Sequence, residues 1–197
     1  FQSGRVSYNE SLFDGIQHLL KTIMKMGFIE NMQIFIPLIQ SYFQLNSCGL
    51  RDFALKFFGL LVFISKNINI LNQDLSSLVI QIALDANDGV ESIDCIRRFV
   101  ETGPNEMTEI MPKIFEMLNN RIFENSGDGV VLNGNTIVVE KCILLIGSLL
   151  QNVGADVSMF IPFIIQVAPP LILLRKTERF IQMILWIYQN QDGSLNQ

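Results

Sequence analysis

An all-α chain of stacked helix pairs is what the sequence predicts, and three observations predict it. Apolar residues recur at helical spacing through nearly the whole chain, and the brief VVL at 130–132 is the only hint of a strand. A proline-bearing apolar heptamer recurs as IFIPLIQ at 34–40, EIMPKIF at 109–115 and MFIPFII at 159–165. The recurrence is periodic: Pro37 and Pro112 lie 75 residues apart, and Pro112 and Pro162 lie 50 apart. The first interval is two units of about 38 and the second is one unit plus a loop insertion at 124–135. Two helices per unit of about 40 residues mark an α-solenoid, whose units bury their apolar faces only by stacking.

The elements follow in order. Leu12, Ile16, Leu19, Leu20 and Ile23 form one stripe of a leading helix over 8–26, which Gly27 ends. A helix over 31–44, a tight turn at Asn46–Gly49 and a helix over 50–66 make the first pair, with Phe53, Phe57, Leu60, Leu61 and Ile64 on the inward face of its second helix. The next pair runs 70–85 and 90–102 about the turn DANDG, with Ile93, Ile96 and Val100 inward. Its second helix also carries Asp94 with Arg98 and Arg97 with Glu101, opposite charges four apart that suit a solvated face. Gly103-Pro104 closes that pair. Helices over 105–123 and 136–153 flank the Gly- and Asn-rich insertion ENSGDGVVLNGN, and helices over 156–174 and 177–190 flank the short basic turn RKT at 175–177. The recurrent proline is expected to bend the first helix of its pair and so curve the stack.

These residues carry a resemblance. An apolar-x-Pro first helix, a short turn and then GLRDFALKFFGLL at 49–61 resemble the HEAT repeat, and the likeness extends over nearly all of residues 5–192. EKCILLIGSLLQNVGADVSMFIPFIIQVAPPLI at 140–172 is similar to the inter-repeat passage of the karyopherin-β (importin/exportin) nuclear transport receptors. The first likeness implies about four HEAT-type antiparallel helix pairs plus the leading helix, wound as a right-handed superhelix. The second implies a non-catalytic protein-binding function in cytoplasm and nucleus, with basic cargo, the Ran GTPase and Phe-Gly nucleoporins as partners. A HEAT-repeat assembly scaffold, such as a phosphatase scaffold subunit or part of a giant kinase or chromosome-organising complex, is the alternative. A microtubule-binding TOG array fits less well, because its intra-repeat turns are basic and here only RKT is.

Composition narrows the function classes. Net charge −5 and a pI near 4.9 argue against nucleic acid, which is bound through clustered Lys and Arg. Cys48, Cys95 and Cys142 are too widely spaced for a metal knuckle and odd in number for a disulfide framework, so they read as reduced thiols. The uncharged run at 159–174 is shorter than the roughly 20 apolar residues of a membrane span and is broken by Gln166 and by Pro162, Pro169 and Pro170, so a buried, kinked helix is expected there. Phe1 to Gly4 look like the tail of a cleavable purification tag, which makes 5–197 a repeat segment excised from a longer protein. Such a segment would expose apolar faces at its ends and tend to self-associate.

Groups able to do chemistry are few. His18 is the only histidine, Gly127, Gly129 and Gly134 do not spell a phosphate loop, and DANDGVES lacks the glutamate that closes a calcium loop. No catalytic residue, metal or cofactor is therefore expected. Charge distribution points instead to binding. From Asp85 to Asp128 the chain holds ten acids against four bases, a net −6 that exceeds the charge of the whole chain. Asp85, Asp88, Glu91, Glu106, Glu109 and Glu116 are accordingly the candidate contacts for a basic partner, steered by long-range attraction. Trp186, the only tryptophan, is a candidate contact of the aromatic hot-spot kind.

Overall fold

A computed structural model describes residues 30–45, 47–86, 89–125, 136–167 and 178–191, with seven further positions between 15 and 27. Every regular element among the described residues is helical, as expected. The helices are α1 (Ile36–Ser41), α2 (Cys48–Ser65), α3 (Gln73–Asp85), α4 (Val90–Thr102), α5 (Pro104–Met107), α6 (Met111–Asn125), α7 (Thr136–Val153), α8 (Ser158–Val167) and α9 (Glu178–Gln191). The expected bounds of α4 and α7 agree with these to the residue. Most of the leading helix, most of the 124–135 insertion including VVL, the stretch from 168 to 177, and Phe1 to Gly4 lie outside the described residues. Gly27 does adopt a left-handed backbone, φ +89°, the conformation a helix-ending glycine supplies.

The recurrent proline has a different role from the one expected. Pro37 is the second residue of α1, directly after a 3-10 helix at Glu30–Phe35. Pro112 is the second residue of α6, after the 3-10 turn Thr108–Ile110. Pro162 follows Ile161, where the 3-10 opening of α8, Ser158–Phe160, gives way to α-helix. The proline therefore does not kink the middle of a helix. It sits in a first turn, where its missing N–H is one that has no intrahelical partner, and its fixed φ suits the start of the α segment. Pro104, at the first position of α5, is a fourth instance of the same placement.

Two further α-helix starts are set by side-chain caps. Ser47 Oγ accepts from the Leu50 amide at 3.5 Å ahead of α2, so Cys48 and Gly49 belong to the helix rather than to the turn. Asn72 Oδ1 accepts from the Leu75 amide at 2.8 Å ahead of α3. Lys66 ends α2 in the left-handed region at φ 52°.

Four helices pack in sequence order: α2 on α4, α4 on α7, and α7 on α9. Beside this row, α3 packs on α4 and touches α6, and α6 packs on α7. A helix with neighbours on both flanks is buried over a wide arc. In α2 that arc takes in the expected Phe53, Phe57, Leu60 and Leu61, and also Ala54, Leu55, Phe58 and Val62. Each fully buried apolar side chain of this size contributes about 1.5–3 kcal/mol. Phe58 is the hub, with Phe57 edge-on at 5.4 Å and Phe43 at 5.7 Å between ring centroids.

Small residues let the row close up. A Cβ on Gly59 would lie 3.2 Å from the Cys95 Cα, so α2 and α4 cross with their backbones almost in contact. A Cβ on Gly147 would overlap the Met183 side chain, so on α7 the missing Cβ makes room for a long side chain of α9. By length and composition α7 is the one described helix that could cross a membrane, but its apolar surface is occupied by α4, α6 and α9. The uncharged run further on is, over its described part, the short helix α8, which is buried on one face only: Phe160, Ile164 and Val167 are inside, whereas Met159 and Ile165 are exposed.

Candidate functional site

The acidic middle of the sequence folds into a groove between α3 and the α5–α6 segment. Leu75, Val79 and Ala83 point α3 inward at four-residue spacing, which turns Ser76, Ser77, Ile80, Gln81 and Leu84 toward the groove. The facing wall is Glu106, Met107, Glu109 and Ile110, launched by Gly103 and Pro104. Gly103 allows that launch, because a Cβ there would meet Glu106 Oε2 and Ile68 Cδ1, both at 2.9 Å. The cavity so formed is about 400 Å³, with the buried Leu71 and Met107 in its floor. Glu106 and Glu109, three apart on one turn, supply the carboxylates of its lining.

A second cavity of about 330 Å³ continues the groove along α6, lined by Asp85, Lys113, Glu116 and Met117 and sharing Gln81 and Leu84 with the first. Gln81 ties the two together. Its Nε2 donates to both carboxylate oxygens of Asp85 at 2.8 Å, and its Oε1 accepts from Lys113 Nζ at 3.4 Å.

Of the residues proposed from sequence, then, Asp85, Glu106, Glu109 and Glu116 come together. Glu91 does not join them: it lies on α4 and pairs with Lys56 of α2 at 3.4 Å. Asp88 lies outside the described residues. Trp186 is elsewhere, half-buried on α9. It lines a separate cavity of about 560 Å³ with Phe63, Glu101, Gln151, Asn152 and Gln182.

A feature absent from the sequence reading lies between α2, α4 and α7. The pairs Asp94 with Arg98 and Arg97 with Glu101 do form, at 3.2 and 2.6 Å. They are not solvated, because α2 and α7 cover that face of α4. Arg97 is 5% exposed, and its guanidinium also contacts Asp94 Oδ1 at 3.1 Å. Lys141 of α7 reaches Asp94 Oδ1 at 3.2 Å, Ser148 Oγ of α7 donates to Glu101 at 3.0 Å, and Arg98 reaches the Lys56 carbonyl of α2 at 3.4 Å. Burial alone pushes the Asp94 carboxyl up. Arg97, Arg98 and Lys141 outweigh it and hold the group below its ordinary value. Burial likewise lowers Arg98, against the pull of Asp94. The signal available in sequence was position: α4 sits between two long apolar helices and would be covered on both flanks. Arg121, also buried, donates to the Ala86 carbonyl just past α3, where a cation favours the helix C-terminus.

The three thiols are not alike. Cys48 is exposed, whereas Cys95 and Cys142 are buried in α4 and α7, and burial pushes both up to about 12. Among the described residues no three His, Cys, Asp or Glu side chains are grouped to hold a metal ion, and His18 is exposed. The groove offers an apolar floor, a carboxylate rim and carboxamide hydrogen bonds. No protein-family model matches the chain, and no curated protein or solved structure matches it either.

Proposed function

We propose that this chain is a non-catalytic protein-binding segment of a HEAT-type α-solenoid that belongs to a karyopherin-β-like nuclear transport receptor, and that its acidic groove receives basic cargo. The observation that carries the binding reading is the groove: four carboxylates gathered over an apolar floor, against one lysine. The solenoid reading is supported by the sequence-order packing of α2, α4, α7 and α9 and by the proline that follows a 3-10 turn at Pro37, Pro112 and Pro162. The transport-receptor reading rests on the resemblance of residues 140–172 and names cytoplasm and nucleus as the site of action, with Ran and Phe-Gly nucleoporins as further partners.

Titration with a Phe-Gly nucleoporin peptide, against a Ser-Gly control, tests it. Saturable binding that requires the phenylalanine is expected, and its absence up to millimolar peptide would refute the transport-receptor reading. A static assembly scaffold is the second reading, favoured by the ion network that pins α2, α4 and α7 in one register. It predicts copurification of a phosphatase or kinase subunit with no response to Phe-Gly peptide.

A further inference from the structure

Resting on the protein-binding reading, we propose that the groove between α3 and α5–α6 seats a partner segment in which one apolar side chain is flanked by arginine or lysine. The apolar half of the requirement comes from the cavity itself. Leu71 and Met107 are 2% and 1% exposed at its floor, and Ile80, Leu84 and Ile110 are half-buried around it. At about 400 Å³ it lies near the low end of the roughly 300–1,000 Å³ range of ligand pockets. That suits one anchoring side chain with its flanking backbone rather than a whole helix laid lengthwise.

Charge supplies the other half. Every acid of α4 is neutralised within the fold: Glu91 by Lys56, Asp94 by Arg97, Arg98 and Lys141, and Glu101 by Arg97. Among the described residues no base pairs with Glu106 or Glu109, and none lines their cavity. The adjoining cavity adds Asp85 and Glu116 against Lys113 alone. An anion-rimmed apolar site selects a cation-flanked apolar ligand, and disfavours an acidic one by like-charge repulsion. Ser77, exposed on the α3 wall, is placed to hydrogen-bond the seated backbone.

The test is fluorescence polarisation with a labelled short peptide carrying one leucine between Arg-Lys pairs in a Gly-Ser background. Three comparisons run beside it: the leucine replaced by serine, the bases replaced by glutamate, and two charge variants of the protein. Glu106→Lys with Glu109→Lys alters the lining, and Asp156→Lys with Gln33→Lys and Gln44→Lys makes the same change in net charge on exposed positions outside it. Wild type should bind saturably, the lining variant at least tenfold more weakly, and the control variant within threefold. Serine for leucine should cost at least tenfold, and the glutamate peptide should not bind.

Ser77→Trp fills the cavity from the exposed side of α3 without a charge change, and should weaken the peptide as much as the lining variant does. Circular dichroism and thermal melts establish that each variant folds. Equal weakening by both charge variants, indifference to the leucine, or no saturable binding would overturn the proposal. If wild type and lining variant bind the cationic peptide alike while both still capture Phe-Gly peptide or a copurifying partner, the groove assignment falls and the broader reading stands.

Discussion

Replacing Asp94 with asparagine keeps the shape of the side chain and removes the one anion on which Arg97, Arg98 and Lys141 converge, at 3.1 to 3.2 Å. Their side chains are 6%, 12% and 25% exposed and that of Asp94 is 15%, so water can rehydrate the lysine but hardly the two guanidiniums. Removing one partner of a buried pair costs about 3–5 kcal/mol. The amide oxygen still accepts a hydrogen bond and Lys141 is partly wet, which places the expected loss near the lower limit, about 3 kcal/mol. For a chain of this length that lowers the melting temperature by about 6–12 °C.

The sign with pH follows from the depressed carboxyl. Its stabilisation is fully present above the unfolded value of about 3.9 and is lost as pH falls through the lower folded value. Urea unfolding of both proteins from pH 7 to pH 2.5 is the assay. The gap between them should be constant down to about pH 5 and narrow below about pH 4. A loss under 0.5 kcal/mol at neutral pH, or a gap that does not change with pH, would refute the claim that Asp94 organises the network.

Other perturbations test separate features. Gly147→Ala forces the Met183 side chain out of its position, so it should destabilise by about 1 kcal/mol after the gain in helix propensity, and Met183→Ala in the same background should recover most of that in a double-mutant cycle. Phe99→Ala empties a fully buried site and should cost about 3–5 kcal/mol in urea titration. At pH 8 an aromatic disulfide reagent should titrate one thiol quickly, Cys48, and all three cysteines only after denaturation. Lys56→Met breaks a pair that is about one-third exposed and should cost under about 1 kcal/mol, well below Asp94→Asn in the same assay.

The helices were legible because their signals are local. The stripe of Phe53, Phe57, Leu60, Leu61 and Ile64 fixes the inward face of α2 from one helix's own periodicity, and Gly103-Pro104 fixes a boundary from backbone chemistry. What failed to be legible depends on neighbours. The spacing of Asp94, Arg97, Arg98 and Glu101 gives their pairing but not their environment, which α2 and α7 decide from 42 and 47 residues away. The proline motif was recognisable as a recurrence, yet the 3-10 turn before each proline leaves no mark in apolar spacing, so a kink was expected where a helix start occurs. For the candidate site, charge density along the chain found Asp85, Glu106, Glu109 and Glu116, but it could not separate Glu91, which a lysine on the adjacent helix neutralises.

The close crossing at Gly59 has a mechanical side. Where backbones almost touch, no long side chain is available to change rotamer and take up a displacement, and the ion network clamps the same row of helices. Across the molecule, the two cavities open between α3 and the stretch 106–120, and Gln81 of α3 bridges to Lys113 of α6. One edge is therefore a stiff spine and the other a compliant rim. A ligand seated in the acidic groove would bear on that rim and hold its two walls at a fixed separation.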